Sequence, residues 1–369
     1  MFAFIKDKVR HVDKWLFLFT SVLSIISLVV LFGARNSQFG STRNFIMQLA
    51  MTIVGLIIMV VLANIDFSNL HPIFYIIVFA VSAIFLLLLQ FFGENAGENI
   101  NWIKIPLINI SIQPSEFVRF SFILTFAKHL SLVYTEINKP LKLLGLMLHA
   151  GVILGLLLLS GDLGMVLVYV FIMVVMLFCA GLSVWYLLGG AALVAILFPF
   201  IWEHLATYQK ERILIGSNPD LDPTGKGLQQ ILSRASIAGG GLFGRGVSGA
   251  GSYKNTYGSL TDFFFSTYAE MFGFIGCIFL IGLYIAVTVR VFMIARRSRD
   301  RFGAYVCAGV IGLLLAHTIE NIGMCLCLLP VIGITLPFLS AGGSSVLSIY
   351  LVFGLVHSTS TPGIDYDYL

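Results

Sequence analysis

Five carboxylates border or interrupt the long apolar stretches of this sequence. They are Glu116, Asp162, Asp262, Glu270 and Glu320. Ionisable groups are costly to place in a bilayer and tend to mark function there. A positioned carboxylate can take a proton from a hydroxyl group as a general base, or it can ligate a divalent cation. These residues are therefore the first candidates for a catalytic or binding site.

The candidate acids also have purely structural interpretations. Asp162, in Ser-Gly-Asp-Leu-Gly, and Asp262, which precedes three phenylalanines, could each cap the helix that follows. Two other acids have a basic residue three positions away on the same helix face, which favours a structural ion pair. These pairs are Glu116 with Arg119 and Glu320 with His317. On one helix, Asp262 and Glu270 would lie about 12 Å apart, too far to share a proton, so at most one of them is the reacting group.

Two further features could bind a sugar or a phosphate. Trp102 is either an interfacial anchor or an aromatic platform for a sugar ring. Residues 239–246 are glycine-rich and lie near Arg234 and Arg245, so their amides and these charges could bind a phosphate. The same run contains Gly-x-Gly-x-x-Gly, but it follows no predicted strand, so a nucleotide-binding fold is not indicated.

The composition fixes the class of protein that positions these residues. The chain has 369 residues, of which 58% are hydrophobic and only 11% charged, against about 25% charged in a soluble domain. Apolar runs long enough to cross a bilayer recur along the whole length. These features predict an all-α polytopic membrane protein with about ten transmembrane helices. The formal net charge of +4 is small and indicates no nucleic-acid partner.

The distribution of basic residues predicts the orientation of these helices. The spans are expected at about 15–33, 45–63, 72–92, 115–134, 142–159, 164–182, 184–202, 263–293, 303–325 and 343–358. Basic residues cluster at 6–14, 139–142 and 290–301, which ten spans place on one side. The positive-inside rule makes that side the cytoplasm, so both termini are cytoplasmic. All five acids then lie toward the outer leaflet, and the longest loop, about 203–262 between spans 7 and 8, is external.

The termini and cysteines add little. The apolar run that begins at Trp15 is too long for a cleaved signal peptide and is expected to be an uncleaved first span. The five cysteines lie inside or beside apolar segments, so they are expected to be packing residues rather than disulfides or zinc ligands. The whole chain, 1–369, is expected to form a single membrane domain.

Four stretches together go beyond composition. They are Asn101-Trp-Ile with Gln113-Pro-Ser-Glu116; Gly161-Asp-Leu-Gly164; the segment from Gln230 through the glycine run to Thr261-Asp-Phe263 and Glu270-Met-Phe-Gly-Phe-Ile-Gly276; and Asn321-Ile-Gly-Met324 with Leu329-Pro-Val-Ile-Gly-Ile-Thr-Leu-Pro-Phe-Leu-Ser-Ala-Gly-Gly-Ser-Ser345. Taken in order over essentially the whole chain, they resemble the SEDS family (shape, elongation, division and sporulation). The short termini are most similar to its rod-shape members.

The resemblance implies a bacterial peptidoglycan glycosyltransferase of the cytoplasmic membrane that polymerises lipid II and works with a class B penicillin-binding protein. It implies that Asp262, in the Thr-Asp-Phe motif, is the catalytic residue. The family's external Trp, Glu and Asp match Trp102, Glu116 and Asp162. Four positions depart from the family pattern: Gly161 for Pro, Arg119 for Lys, Leu260 for His and Ala341 for Tyr. The change at 260 removes a plausible proton partner of Asp262.

This reaction assigns roles to the candidate residues. A sugar hydroxyl is a poor nucleophile, so Asp262 is expected to take its proton as the bond to the donor sugar forms. The departing pyrophosphate needs cations, expected from Arg119, Arg234 and Arg245. The side chains expected to bind substrate are Trp102, Gln113, Glu116, Arg119, Asp162, Arg234, Arg245 and Glu270. A divalent cation (Mg or Mn) held by Glu116 and Asp162 is plausible, and no organic cofactor is expected. A lipid II flippase and a non-catalytic scaffold of the wall-synthesis complex are the alternatives.

Overall fold

The computed structural model describes residues 12–35, 37, 40–96, 99–105 and 110–360. Most of these residues are helical. The helices are α1 Lys14–Ala34, α2 Thr42–Leu62, α3 Pro72–Phe92, α4 Pro114–Val133, α5 Pro140–Leu159, α6 Leu163–Cys179, α7 Val184–His204, α8 Thr207–Ser217, α9 Leu228–Gly240, α10 Gly246–Gly249, α11 Phe264–Arg296, α12 Arg301–Cys325 and α13 Gly343–Ser358. Three short strands are β1 Glu94–Ala96, β2 Asn99–Ile105 and β3 Ile110–Ile112.

The predicted polytopic helical fold is confirmed. Among the described residues, eight helices are long and apolar enough to cross a membrane, and they match eight of the ten expected spans. The other two expected spans are α6 and α13, apolar helices of 17 and 16 residues. The N-terminal basic cluster lies mostly outside the described residues, which include only its Lys14.

The most buried helices are the more polar ones. In α4 and α12 more than half of the span is buried inside the protein, and these two helices are the least hydropathic of the eight. Their polar side chains face the bundle interior, as expected where the surroundings are lipid. At the other extreme, α7 has no buried residue, although it is as apolar as its neighbours. The polar candidate site is therefore built around α4 and α12.

The segment before α4 contains a small antiparallel sheet with the strand order β1-β2-β3. Trp102 lies opposite Glu94, and Ile103 lies opposite Ile112. The sequence interpretation treated this segment only as a polar loop. The missed signal is alternation, because isoleucines two positions apart, at 103 and 105 and again at 108, 110 and 112, fit the period-2 pattern of a strand.

The glycine-rich run packs against a break in α11. Gly273 has φ +68°, which interrupts the helix. The amides of Phe274 and Ile275, which begin the second half, donate to the carbonyl oxygens of Gly241 and Leu242 at 2.9 and 3.1 Å. A Cβ at position 244 would lie 2.2 Å from the carbonyl oxygen of Met271, so only glycine fits there. In this structure the run therefore caps a half-helix.

Candidate functional site

The segment 329–335, which follows α12, contacts the ends of several helices. Gln230 of α9 is fully buried and donates from Nε2 to the carbonyl oxygens of Gly216 and Leu329, at 3.1 and 3.3 Å. A Cβ on Gly216 would lie 2.4 Å from the Cα of Pro330, so α8 touches the segment through bare backbone. A Cβ on Gly164 would likewise lie 2.8 Å from a backbone oxygen of the segment. The start of α6, the end of α8 and the start of α9 are thus held together at this segment.

The backbone around Asp262 is fixed to the same region. Asn321 of α12 is buried, and its Nδ2 donates to the carbonyl oxygens of Asp262 and Ile334, both at 2.7 Å. Two residues before Asp262, the carbonyl oxygen of Leu260 accepts from the amide of Ala341 at 2.8 Å. That bond does not depend on the side chain at position 341, so the Ala departure leaves it intact. The Leu260 side chain is buried in the core and supplies no proton partner.

Within the described part of the chain, the carboxylate of Asp262 has no hydrogen-bond partner. It is half-buried, and its Oδ2 lies 3.7 Å from the position that a Cβ on Gly333 would take. The residue that caps α11 is Phe263, without a side-chain bond, so the helix-cap interpretation of Asp262 is wrong. Among residues 12–35, 37, 40–96, 99–105 and 110–360, no side chain or amide bonds to this carboxylate. Burial raises the pKa of Asp262 to about 6, and the charge of Arg212 opposes that rise.

Asp162 lies near the segment 329–335, two residues before Gly164, which packs on it. It caps α6 by accepting from the Met165 amide at 3.1 Å, as the sequence predicted. The side chain of Gln113 also interacts with this carboxylate and lowers its pKa, so two predicted site residues lie near each other. Burial raises the pKa of Asp162 to about 6, and the nearby charge of Glu116 adds to the rise. Asp162 is therefore both a structural cap and a perturbed acid.

Glu116 and Arg119 form the predicted ion pair inside the bundle. Arg119 is only 1% exposed, and its Nη1 lies 3.0 Å from Nε2 of His317. Ser348 of α13 donates to Glu116 at 2.9 Å. The expected pair of Glu320 with His317 is wrong, because His317 contacts Arg119 and the carbonyl oxygen of Thr335 instead.

Glu270 and Arg245, two other predicted substrate residues, contact each other and the preceding loop rather than Asp262. Glu270 is fully buried and accepts from the amides of Gly251 and Tyr253 at 2.8 and 2.9 Å. Arg245 lies 3.8 Å from the same carboxylate. In these contacts Glu270 fastens the loop that leads to Asp262.

The two remaining predicted residues, Arg234 and Trp102, are both at least partly exposed. Arg234 is half exposed and pairs with Asp220 at 3.5 Å. Trp102 is partly buried in β2. Both stay predictions as substrate contacts.

The sequence analysis missed Arg212. This residue lies on α8 with an exposed side chain, and its charge acts on both Asp262 and Asp162. In the sequence it stands in Lys-Glu-Arg, which is typical of a solvated helix face. Only the packing of α8 against the segment 329–335 reveals its position.

The metal prediction finds no support in the arrangement of its proposed ligands. Glu116 is engaged with Arg119 and Ser348, and Asp162 is engaged with Gln113 and the Met165 amide. Across the described part of the chain, no three His, Cys, Asp or Glu side chains are grouped as metal ligands. A divalent cation stays a prediction, and these two acids do not form a vacant ligand pair for it.

Comparison with known proteins places this site in a family. The sequence pattern of the FtsW/RodA/SpoVE family of cell cycle proteins matches residues 13–362. The chain belongs to this family. It is 33% identical over 365 residues to "Peptidoglycan glycosyltransferase MrdB" of Escherichia coli K12, a match that covers 96% of this chain and 95% of that protein. The predicted SEDS resemblance, with its ordered motifs, is therefore confirmed.

Solved structures of FtsW/RodA/SpoVE-like proteins share the fold. A chain from "Structural coordination of polymerization and crosslinking by a peptidoglycan synthase complex" superposes with a TM-score of 0.80 at 27% identity, covering 94% of this chain and 97% of that one. The rod shape determining protein RodA of Thermus thermophilus superposes with a TM-score of 0.65 at 24% identity, covering 94% and 95%. The second likeness concerns the fold alone.

Proposed function

We propose that this FtsW/RodA/SpoVE-family chain is a peptidoglycan glycosyltransferase in which Asp262 is the general base. The predicted reaction class agrees with the name of the Escherichia coli relative. The observation that carries the assignment of the base is the environment of Asp262. Its backbone is fixed by Asn321 and by the segment after α12, while its carboxylate stays half-buried and bonds to none of the residues that the structure describes.

This environment suits proton abstraction. The acceptor hydroxyl binds beside Asp262, the carboxylate takes its proton, and the oxygen attacks the anomeric carbon of the donor as the pyrophosphate leaves. A pKa of about 6 leaves Asp262 ionised near neutral pH and makes it a stronger base than an ordinary aspartate. One base is enough for a single displacement, which inverts the anomeric carbon. The remaining requirement is a cation for the leaving group.

The substrate is lipid II, and the site faces the outside of the bacterial cytoplasmic membrane. Asp262 lies at the outer end of α12, whereas the basic cluster lies at the other end of α11 and α12. At that basic end, Asp13 pairs with Arg290, and its amide donates to His357 at 3.1 Å. The start of α1 and the end of α13 therefore lie together beside the basic cluster, which supports cytoplasmic termini. The whole chain acts as one membrane domain.

The partner is a class B penicillin-binding protein, and the role is cell elongation and shape. A chain with the same fold belongs to a synthase complex that couples polymerization and crosslinking. Neither a flippase nor a scaffold accounts for an acid whose backbone is held as firmly as that of Asp262 while its carboxylate bonds to no group among the described residues.

The test is polymerisation of purified lipid II by the purified chain, with and without its partner. Glycan strands that lengthen with time, and form faster with the partner, are the expected products. Transfer of lipid II across proteoliposomes without polymerisation would instead identify a flippase. Absence of both activities, in a folded complex that activates another polymerase, would identify a scaffold.

A further inference from the structure

The three cations expected to bind the leaving group are engaged elsewhere. Arg119 is enclosed in the bundle with Glu116, and Arg234 pairs with Asp220. Arg245 donates from Nε to the carbonyl oxygen of Gly239 at 2.8 Å and also lies beside Glu270. The cation that stabilises a departing pyrophosphate has to face the leaving oxygen, which lies across the anomeric carbon from the base, so it has to belong to the same site as Asp262. None of these three contacts places a cation beside Asp262.

Arg212 is the cation that the fold brings to Asp262. It lies one helical turn before Gly216, on the same face of α8. Gly216 touches Pro330 by bare backbone, and in the same segment a Cβ on Gly333 would lie 3.7 Å from Oδ2 of Asp262. The start of α6, with Asp162, packs on this segment through Gly164. The position of Arg212 is therefore set by the same backbone that holds both acids.

The side chain of Arg212 keeps its donors available. Its guanidinium lies 5.8 Å from the ring centroid of Tyr208, and within the described ranges it makes no hydrogen bond or ion pair. The charged neighbours on α8 are occupied, because Glu211 pairs with Lys226 and Lys210 donates to the carbonyl oxygen of Glu203 at 3.1 Å. A guanidinium has five N–H donors in a planar fork that matches two phosphate oxygens.

We propose that Arg212 binds the pyrophosphate of the lipid-linked donor and stabilises it as it leaves, an assignment that rests on the proposed glycosyl transfer. The bond between the acceptor oxygen and the anomeric carbon forms while the bond from that carbon to the pyrophosphate oxygen breaks. The electron pair stays on the pyrophosphate, whose new negative charge faces Arg212, and the hydroxyl proton passes to Asp262. The electrostatic effect of Arg212 on both Asp262 and Asp162 agrees with a position between them.

The test measures binding separately from turnover. The probes are undecaprenyl pyrophosphate and undecaprenyl phosphate, titrated into the full-length protein in nanodiscs. Arg212→Ala should weaken binding of the pyrophosphate about 10–100-fold, the usual effect of losing charge-assisted hydrogen bonds. Arg212→Lys keeps the charge but not the planar arrangement of donors, so its affinity for the pyrophosphate should lie between those of wild type and Arg212→Ala. Lys210→Ala removes a partly exposed cation two positions away and should bind like the wild type.

The outcomes separate this proposal from the proposed reaction. Equal binding by wild type and Arg212→Ala would overturn the role of Arg212, even if the wild type polymerises lipid II. An equal loss in Lys210→Ala would also overturn it, because the effect would then come from the general charge of α8. Selective loss in Arg212→Ala, with an unchanged thermal midpoint, supports the proposal. A wild type that binds the pyrophosphate but does not polymerise would count against the proposed reaction instead.

Discussion

Replacing Asp262 with asparagine should make the protein more stable at neutral pH. Burial raises the pKa of Asp262 from 3.8 to about 6, so the folded state holds the proton more tightly than the unfolded chain does. The ionised carboxylate therefore lowers the free energy of unfolding. This cost is absent below pH 3.8, grows between pH 3.8 and 6, and is constant above pH 6. With these two values the cost is about 1 kcal/mol at pH 4.5 and about 3 kcal/mol at pH 7.5. An asparagine side chain has a similar size and carries no charge, so the variant avoids this cost.

The assay is thermal unfolding of wild type and Asp262→Asn in the same detergent at pH 4.5 and pH 7.5. The variant should unfold at a higher temperature at pH 7.5, and the difference should shrink to about a third at pH 4.5. Asp220→Asn is the matched control, because Asp220 is largely exposed and should change stability little at either pH. A variant that is less stable than wild type at pH 7.5, or a gain that does not depend on pH, would refute the argument that Asp262 is a buried charge.

Three further predictions follow from the same contacts. The polymerisation rate should fall about tenfold per pH unit below about pH 6 as Asp262 is protonated, and a pH–rate profile that is flat from 5 to 7 would exclude it as the base. Gly216→Ala should destabilise the protein by about 1–3 kcal/mol in chemical unfolding, because its Cβ would meet backbone, whereas Gly151→Ala meets nothing within 4 Å and should not. Single cysteines at Lys254 and Ser298, in a background without native cysteines, should react with an impermeant thiol reagent in spheroplasts only at 254, and the reverse result would invert the proposed orientation.

The pH at which the polymerisation rate begins to fall depends on the charged and titratable groups near Asp262. The charge of Arg212 lowers the pKa of Asp262. Among the described residues, the thiol of Cys325 on α12 also interacts with Asp262. Removing the charge of Arg212 should therefore move the acid limb of the profile to higher pH. A group that acts only on stability would leave the limb in place.

The features that could be predicted from sequence are the local ones. Apolar runs of sufficient length located the membrane helices, because a bilayer imposes that length on each span. The three-residue spacing of Glu116 and Arg119 gave their ion pair, and the position of Asp162 before an apolar run gave its cap. Each of these depends on residues within one turn of each other.

The features that could not be predicted depend on residues far apart in the chain. The bond from Asn321 to Asp262 joins positions 59 apart, and no spacing rule indicates it. His317 had a plausible partner on its own helix, but Arg119, from another helix, is the partner it contacts. Arg212 is placed by a contact of Gly216 with Pro330, and a glycine in a sequence gives no sign of its distant neighbour.

Asp262 is proposed to take the proton of the acceptor hydroxyl. Glycan polymerisation by Asp262→Asn measures this role. Both forms are purified with the partner, and the strands made from lipid II are compared over time, with thermal unfolding to show that the variant is folded. We expect Asp262→Asn to polymerise lipid II about 10²–10⁴-fold more slowly than wild type, because asparagine cannot accept the proton. Polymerisation within a few-fold of wild type by a folded variant would contradict it and make Asp162, the other buried acid at the segment 329–335, the next residue to test.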